Sequence, residues 1–148
     1  MLIEFAHTNQ GIIMDRATYL STYLPLAYAH LATIIPAFFI GTYMMVARKG
    51  DRLHRFLGKG YMVLMMVTAI ITLFMPAVVG PRLFNHFGFI HLFSVLAIVS
   101  VPSAYFAAKR HDVKSHRSSM IGLYIGGLLI AGGFAFMPGR LLHTWLFA

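Results

Sequence analysis

Residues 30–55, HLATIIPAFFIGTYMMVARKGDRLHR, and residues 91–117, HLFSVLAIVSVPSAYFAAKRHDVKSHR, decide the fold. Each opens on a histidine inside an apolar run and closes on a basic turn ending in His-Arg. His30 and His54 are 24 residues apart, and His91 and His116 are 25 apart. Tyr43, Arg48-Lys49, Asp51, Arg52 and His54-Arg55 match Tyr105, Lys109-Arg110, Asp112, Lys114 and His116-Arg117, allowing single-residue gaps. One helical hairpin is used twice, and such an internal repeat governs the rest of the reading.

Composition sets the environment. Of 148 residues, 59% are hydrophobic and only four are acidic, whereas a soluble domain devotes roughly a quarter of its residues to charge. The expected fold is an all-α integral membrane four-helix bundle made of two repeated hairpins. Residues 1–17 are expected to form an extramembrane segment, and residues 18–148 a single four-span domain. Glu4 and Asp15 deny residues 1–17 the apolar core of a signal peptide. With no cysteine, disulfides, thiolate metal sites and cysteine nucleophiles are excluded.

A span needs about 20 mostly apolar residues. Four stretches qualify: 19–47, 58–80, 86–108 and 118–138. Nine cations (Arg48, Lys49, Arg52, Arg55, Lys59, Lys109, Arg110, Lys114 and Arg117) fall in the turns 1–2 and 3–4. Only Arg16, Arg82 and Arg140 belong to the other side. By the positive-inside rule those two turns are cytoplasmic and both termini are periplasmic, in a bacterial inner membrane. The net charge of +8 is accounted for by membrane orientation, so nucleic acid is not an expected partner. The lipid bilayer is.

Two parallel hairpins are related by an axis along the membrane normal, which makes spans one and three diagonal partners, and spans two and four likewise. His30 and His91 then share the outer half of the bundle, and His54 and His116 the cytoplasmic end, the two levels lying roughly 20–25 Å apart. Paired imidazoles across a bundle can hold haem iron, and the core of a bundle hosts such sites. The competing reading is an interhelical hydrogen bonder at each position, or a lipid-headgroup contact for His54 and His116. His7, His86, His111 and His143 have no repeat partner and read as surface or interfacial. Glycines 122, 126, 127, 132 and 133 permit close helix approach, or leave room for a flat macrocycle. The methionines are scattered without histidine at tight spacing, which argues against copper(I) transport. No carboxylate lies inside a span, so a carboxylate proton relay has nothing to run on.

Two resemblances arise from these residues. Lys49-Gly50, His54-Arg55, Gly58, Tyr61, Ile90-His91, Ser94, His116-Arg117 and Met120 resemble a family of uncharacterised bacterial four-helix membrane proteins. The closing stretch, Tyr124-x-Gly126 through Ile130-Ala131-Gly132, Phe134, Phe136 and Pro138-Gly139-Arg140, strengthens that likeness. It brings no assigned function. The alternating histidine depths are similar to the core of the dihaem ascorbate-reducible cytochromes b, where helices one and three hold one haem and helices two and four the other. That resemblance implies His30 and His91 as outer ligands and His54 and His116 as inner ligands. The chain lacks the extra flanking helices of those cytochromes, spaces its histidines more closely and keeps its inner pair nearer the surface. The last departure weighs against the inner haem more than the outer, so a single haem, if only one is bound, is expected at His30 and His91.

The leading expectation is a protein that binds one or two haem b groups and carries electrons across the membrane. It would be quinol-linked or an accessory subunit of a larger respiratory membrane complex. Arg55, Arg117 and Arg140 would balance the propionates, and Phe89, Phe93, Tyr105 and Tyr124 would keep the ring dry. The alternatives are a cofactor-free subunit packed against a larger membrane complex, or a carrier for a small apolar or metal ligand.

Overall fold

The computed structural model describes residues 19–77, 86–138 and 141–147. Four helices in it are long and apolar enough to cross a membrane: Leu20–Val46 (α1), Arg52–Phe74 (α2), Ile90–Lys109 (α3) and Val113–Phe134 (α4). A short helix, Leu141–Phe147 (α5), follows. No strand occurs among the described residues.

Helix ends follow from local chemistry. Pro25 sits at the start of the regular part of α1, Leu24–Val46, where a missing N–H costs nothing. A wide turn, Tyr19–Tyr23, precedes it. Asp51 caps α2 by accepting the His54 backbone N–H at 2.6 Å, and Asp112 caps α4 by accepting that of Ser115 at 3.0 Å. These caps start the second and fourth spans earlier than hydropathy alone places them. Arg52, Arg55 and Lys59 belong to the helix but lie exposed on its surface, and an apolar window discards them. α2 ends at Phe74 because Met75, preceding Pro76, is driven to extended geometry (ψ 125). The two basic turns repeat in structure as in sequence. Gly50 (φ 88) and His111 (φ 59) are both left-handed, and each immediately precedes the capping aspartate.

Neighbouring helices pack in chain order, and α1 also meets α4, which leaves α1/α3 and α2/α4 as the diagonals. Each buried stripe follows the helical period. On α1 it runs Tyr23, Ala27, Ala37 and Gly41, and on α3 it runs His91, Ser94, Ala97, Val101, Ala104 and Ala107. Ala37, Tyr61, Met65, Ala69, Ala97, Val101, Leu123 and Leu128 form the core. Large apolar side chains such as Phe39, Phe56, Val63 and Leu92 are exposed on the outside, as expected of a bundle surrounded by lipid.

The bundle is closed towards its basic end. Gly41 admits the rings of Tyr61 and Tyr124, since a Cβ there would lie 2.9 Å from each. The Tyr124 hydroxyl shares a hydrogen bond with Thr42 at 2.8 Å, joining α4 to α1. Beyond Pro36, towards the opposite end, α1 and α4 part around a cavity. Pro36 lies inside α1 and removes one of its backbone hydrogen bonds. At the far end the Tyr28 ring lies 5.8 Å from that of Trp145 on α5.

Candidate functional site

All four histidines of the repeat fall on the inward stripe of their helices, but the two levels are built differently. At the basic end His54 shares a helix face with Tyr61, Met65 and Thr68, each buried. His116 lies on the α4 stripe that continues through Met120 and the buried Leu123. Their rings meet across the α2/α4 diagonal, with centroids 6.4 Å apart and planes at 73°. Small Ala104, fully buried, lets His116 approach α3, where its Nδ1 lies 2.9 Å from the Ala104 carbonyl oxygen. A carbonyl only accepts, so Nδ1 carries the proton and the neutral ring keeps its lone pair on Nε2. A ring nitrogen held in this way is the usual support of a metal-bound imidazole. His54 Nδ1 is buried and has no hydrogen-bond partner.

The far level is different. His91 is buried, and both of its ring nitrogens are engaged by backbone. Gly88 N–H donates to Nδ1 at 3.0 Å, and Nε2 donates to the Met75 carbonyl oxygen at 3.0 Å. With these two bonds made, neither nitrogen has a free lone pair for a metal. His86, whose ring lies 5.6 Å from that of His91, donates through Nε2 to the Leu73 carbonyl at 2.9 Å. These two side chains supply the donors that the last carbonyls of α2 lack, since Pro76 prevents the helix from continuing. His86 is therefore not merely interfacial, and no signal in its own surroundings in the sequence betrays that role.

His30 does not meet His91. It lines a cavity of about 600 Å³ bounded by all four spans, and its Nδ1 is buried without a partner. Thr68, Thr72 and Ser94, with Tyr23, are the other polar side chains among the described residues on the walls. Sequence reading missed these hydroxyls, which lie on the same inward stripes as the histidines. Ser94 donates to Thr72 Oγ1 at 2.8 Å, and Thr72 to the Thr68 carbonyl at 2.8 Å. Thr68 donates to Thr33 Oγ1, and Thr33 to the His30 carbonyl at 2.9 Å. The ladder ties α1, α2 and α3 together and uses every hydroxyl proton in it.

Arg55 and Arg117 are exposed beside the inner pair, as expected, while Arg140 lies outside the described residues, as do Arg16 and Arg82. Of the aromatic residues expected to shield a ring, Phe93 lines the cavity and Tyr124 faces Thr42. Phe89 and Tyr105 are exposed and point away from the core. No cluster of three or more His, Asp or Glu side chains able to hold a metal occurs among the described residues. A zinc site built from side chains needs three or four such ligands, whereas haem iron needs only one or two axial ones. Two imidazoles on opposite faces of one metal, with metal–nitrogen bonds of about 2 Å, have ring centres about 6 Å apart. The His54–His116 ring centres are separated by a similar distance. At the outer level both His91 nitrogens are hydrogen-bonded to backbone.

Fold and site together define a four-span helical membrane protein with a histidine pair at its basic end and an apolar cavity in its opposite half. A family described as "Predicted membrane protein (DUF2306)" matches residues 27–142, and the chain belongs to it. The match takes in all four repeat histidines and brings no assigned function. No curated protein and no solved structure matches the chain, so the likeness to the dihaem cytochromes b has no counterpart among these comparisons.

Proposed function

We propose that this protein binds one haem b between His54 and His116 and serves as an electron-transfer protein of the bacterial inner membrane. The observation that supports this is the inner imidazole pair. The rings are 6.4 Å apart on diagonal helices, and one of them is oriented by its Nδ1–H bond to the Ala104 carbonyl. Haem with two histidine ligands supplies one-electron chemistry without an open position for oxygen. The chain's own part is to hold the two rings close together, to place Arg55 and Arg117 where propionates would need cations, and to exclude water with the buried Tyr61, Met65 and Leu123. With the basic turns cytoplasmic and the termini periplasmic, the haem lies near the cytoplasmic face. Its electron donor is a membrane quinol, and its natural partner is a larger respiratory complex.

The test is a visible spectrum of the detergent-purified protein, air-oxidised and then dithionite-reduced, with haem counted as the pyridine haemochrome. One haem per chain is expected, lost in His54→Ala and in His116→Ala and retained in His91→Ala. A protein that stays colourless after expression with added haem precursor overturns the proposal and leaves a cofactor-free packing subunit as the reading to pursue.

A further inference from the structure

We propose that the cavity between α1 and α4 is a binding site for an isoprenoid quinone or quinol, with the ring against His30 and Ser94 and the tail leaving sideways into the bilayer. Cavity size is the first support. About 600 Å³ lies within the range of roughly 300–1,000 Å³ that small-molecule sites occupy.

The mouth is the second. Ile35 and Phe39 on α1 and Leu129 on α4 line the cavity and are also among the large side chains exposed on the outside of the bundle. The opening therefore lies on the α1/α4 seam at membrane depth, where an apolar chain passes without meeting water. Towards the basic end, Gly41, Thr42 and Tyr124 close the same seam.

Polarity selects the class of ligand. Among the described residues no lysine, arginine, aspartate or glutamate lines the cavity, so no described side chain there balances a fatty-acid carboxylate, a lipid phosphate or haem propionates. A neutral head suits this lining. The unmet hydrogen-bonding capacity is specific: His30 Nδ1 has no partner, and Ser94 Oγ heads the hydroxyl ladder, donating to Thr72 and keeping its lone pairs. These two groups stand on the diagonal helices α1 and α3. A flat neutral ring with oxygens on opposite edges can address both, and a plain acyl chain can address neither.

The inference deepens the electron-transfer reading by locating the donor site, but its test does not depend on haem. Trp145 is the sole tryptophan, and it lies on α5, whose Leu142 lines the cavity. Decylubiquinone titrated into the purified full-length protein, and into its His54→Ala variant, is expected to quench Trp145 fluorescence saturably. Two variants locate the effect. His30→Leu should weaken binding about tenfold, the equivalent of one good hydrogen bond. Gly132→Leu should abolish it by filling the cavity, and it should fold, since a Cβ at Gly132 meets nothing within 4 Å. Saturable quenching in the haem-free His54→Ala protein supports the site whatever becomes of the cytochrome reading. Quenching that rises linearly with quinone in the micelles and is equal in all variants is mere partitioning and overturns the site, even if the inner pair proves to carry haem.

Discussion

His91 and His116, the first and second histidines of one hairpin, show how the same side chain is put to opposite uses. Both are inward-facing, and both bond to backbone. His116 gives one nitrogen to the Ala104 carbonyl and keeps the other, whereas His91 gives both, to Met75 and Gly88. Substituting His91 should therefore be a stability lesion. It leaves the part-buried Met75 carbonyl and Gly88 N–H unmet, at up to about 1–3 kcal/mol each. We expect His91→Ala to lower the thermal midpoint in detergent clearly while leaving any haem absorbance per folded chain unchanged. His116→Ala should do the reverse. If His91→Ala bleached the protein without destabilising it, the assignment of ligands to the inner pair would fail. Spacing and depth were enough to show that His30, His54, His91 and His116 all face the interior. They were not enough to rank the pairs, because what disqualifies His91 is a carbonyl 16 residues away and an amide three residues away, brought together by the end of α2. Such a partner is non-local and leaves no periodic trace.

At the scale of the element, the two basic turns are one design: a left-handed residue, a capping aspartate, then a helix. Gly50 tolerates φ 88 without strain, and a Cβ there would meet nothing within 4 Å. Gly50→Ala should thus cost about 1 kcal/mol through backbone conformation alone. His111→Gly in the twin turn should gain stability by a similar amount, since histidine at φ 59 carries that penalty already. Asp51→Ala removes a cap and should cost about 1 kcal/mol. All three are readable as unfolding midpoints in mixed micelles. Asp112 adds a pH dependence. The Ser115 backbone N–H holds its carboxyl below the ordinary range, with a further side-chain bond to Ser115 in the same direction. The folded pKa is the lower one, so this contribution is present above the usual carboxylate range and fades as pH falls through it. Asp112→Asn should flatten that acid limb. Asp51 and Asp112 were visible in the sequence as repeat partners, but their capping role was not used. Hydropathy therefore started the second and fourth spans at residues 58 and 118 rather than at Arg52 and Val113. The exposed cations of those first turns obscure the helix to any apolar window.

For the whole molecule, orientation decides what the two sites mean. Nine cations at one end face only two carboxylates, Asp51 and Asp112, so that end keeps a large positive charge. Lys109 lies 5.3 Å from the centre of the Tyr105 ring, and its neighbours Arg110 and Lys114 are exposed. A positively charged end of this kind is retained in the cytoplasm. The chain has no cysteine, so single cysteines can report its topology directly. Val113 is 73% exposed at the basic end, and Phe147 is 70% exposed at the other. In spheroplasts a membrane-impermeant maleimide should label Phe147→Cys and spare Val113→Cys, and inverted vesicles should give the opposite pattern. That outcome puts the histidine pair near the cytoplasm and the lipid-facing cavity in the periplasmic half. Protons from a quinol bound there would then leave towards the periplasm, while its electrons travelled inward to the His54–His116 level. Labelling of Val113→Cys in spheroplasts would invert the bundle. Both binding sites could survive that result, but the direction of charge movement assigned to the protein would not.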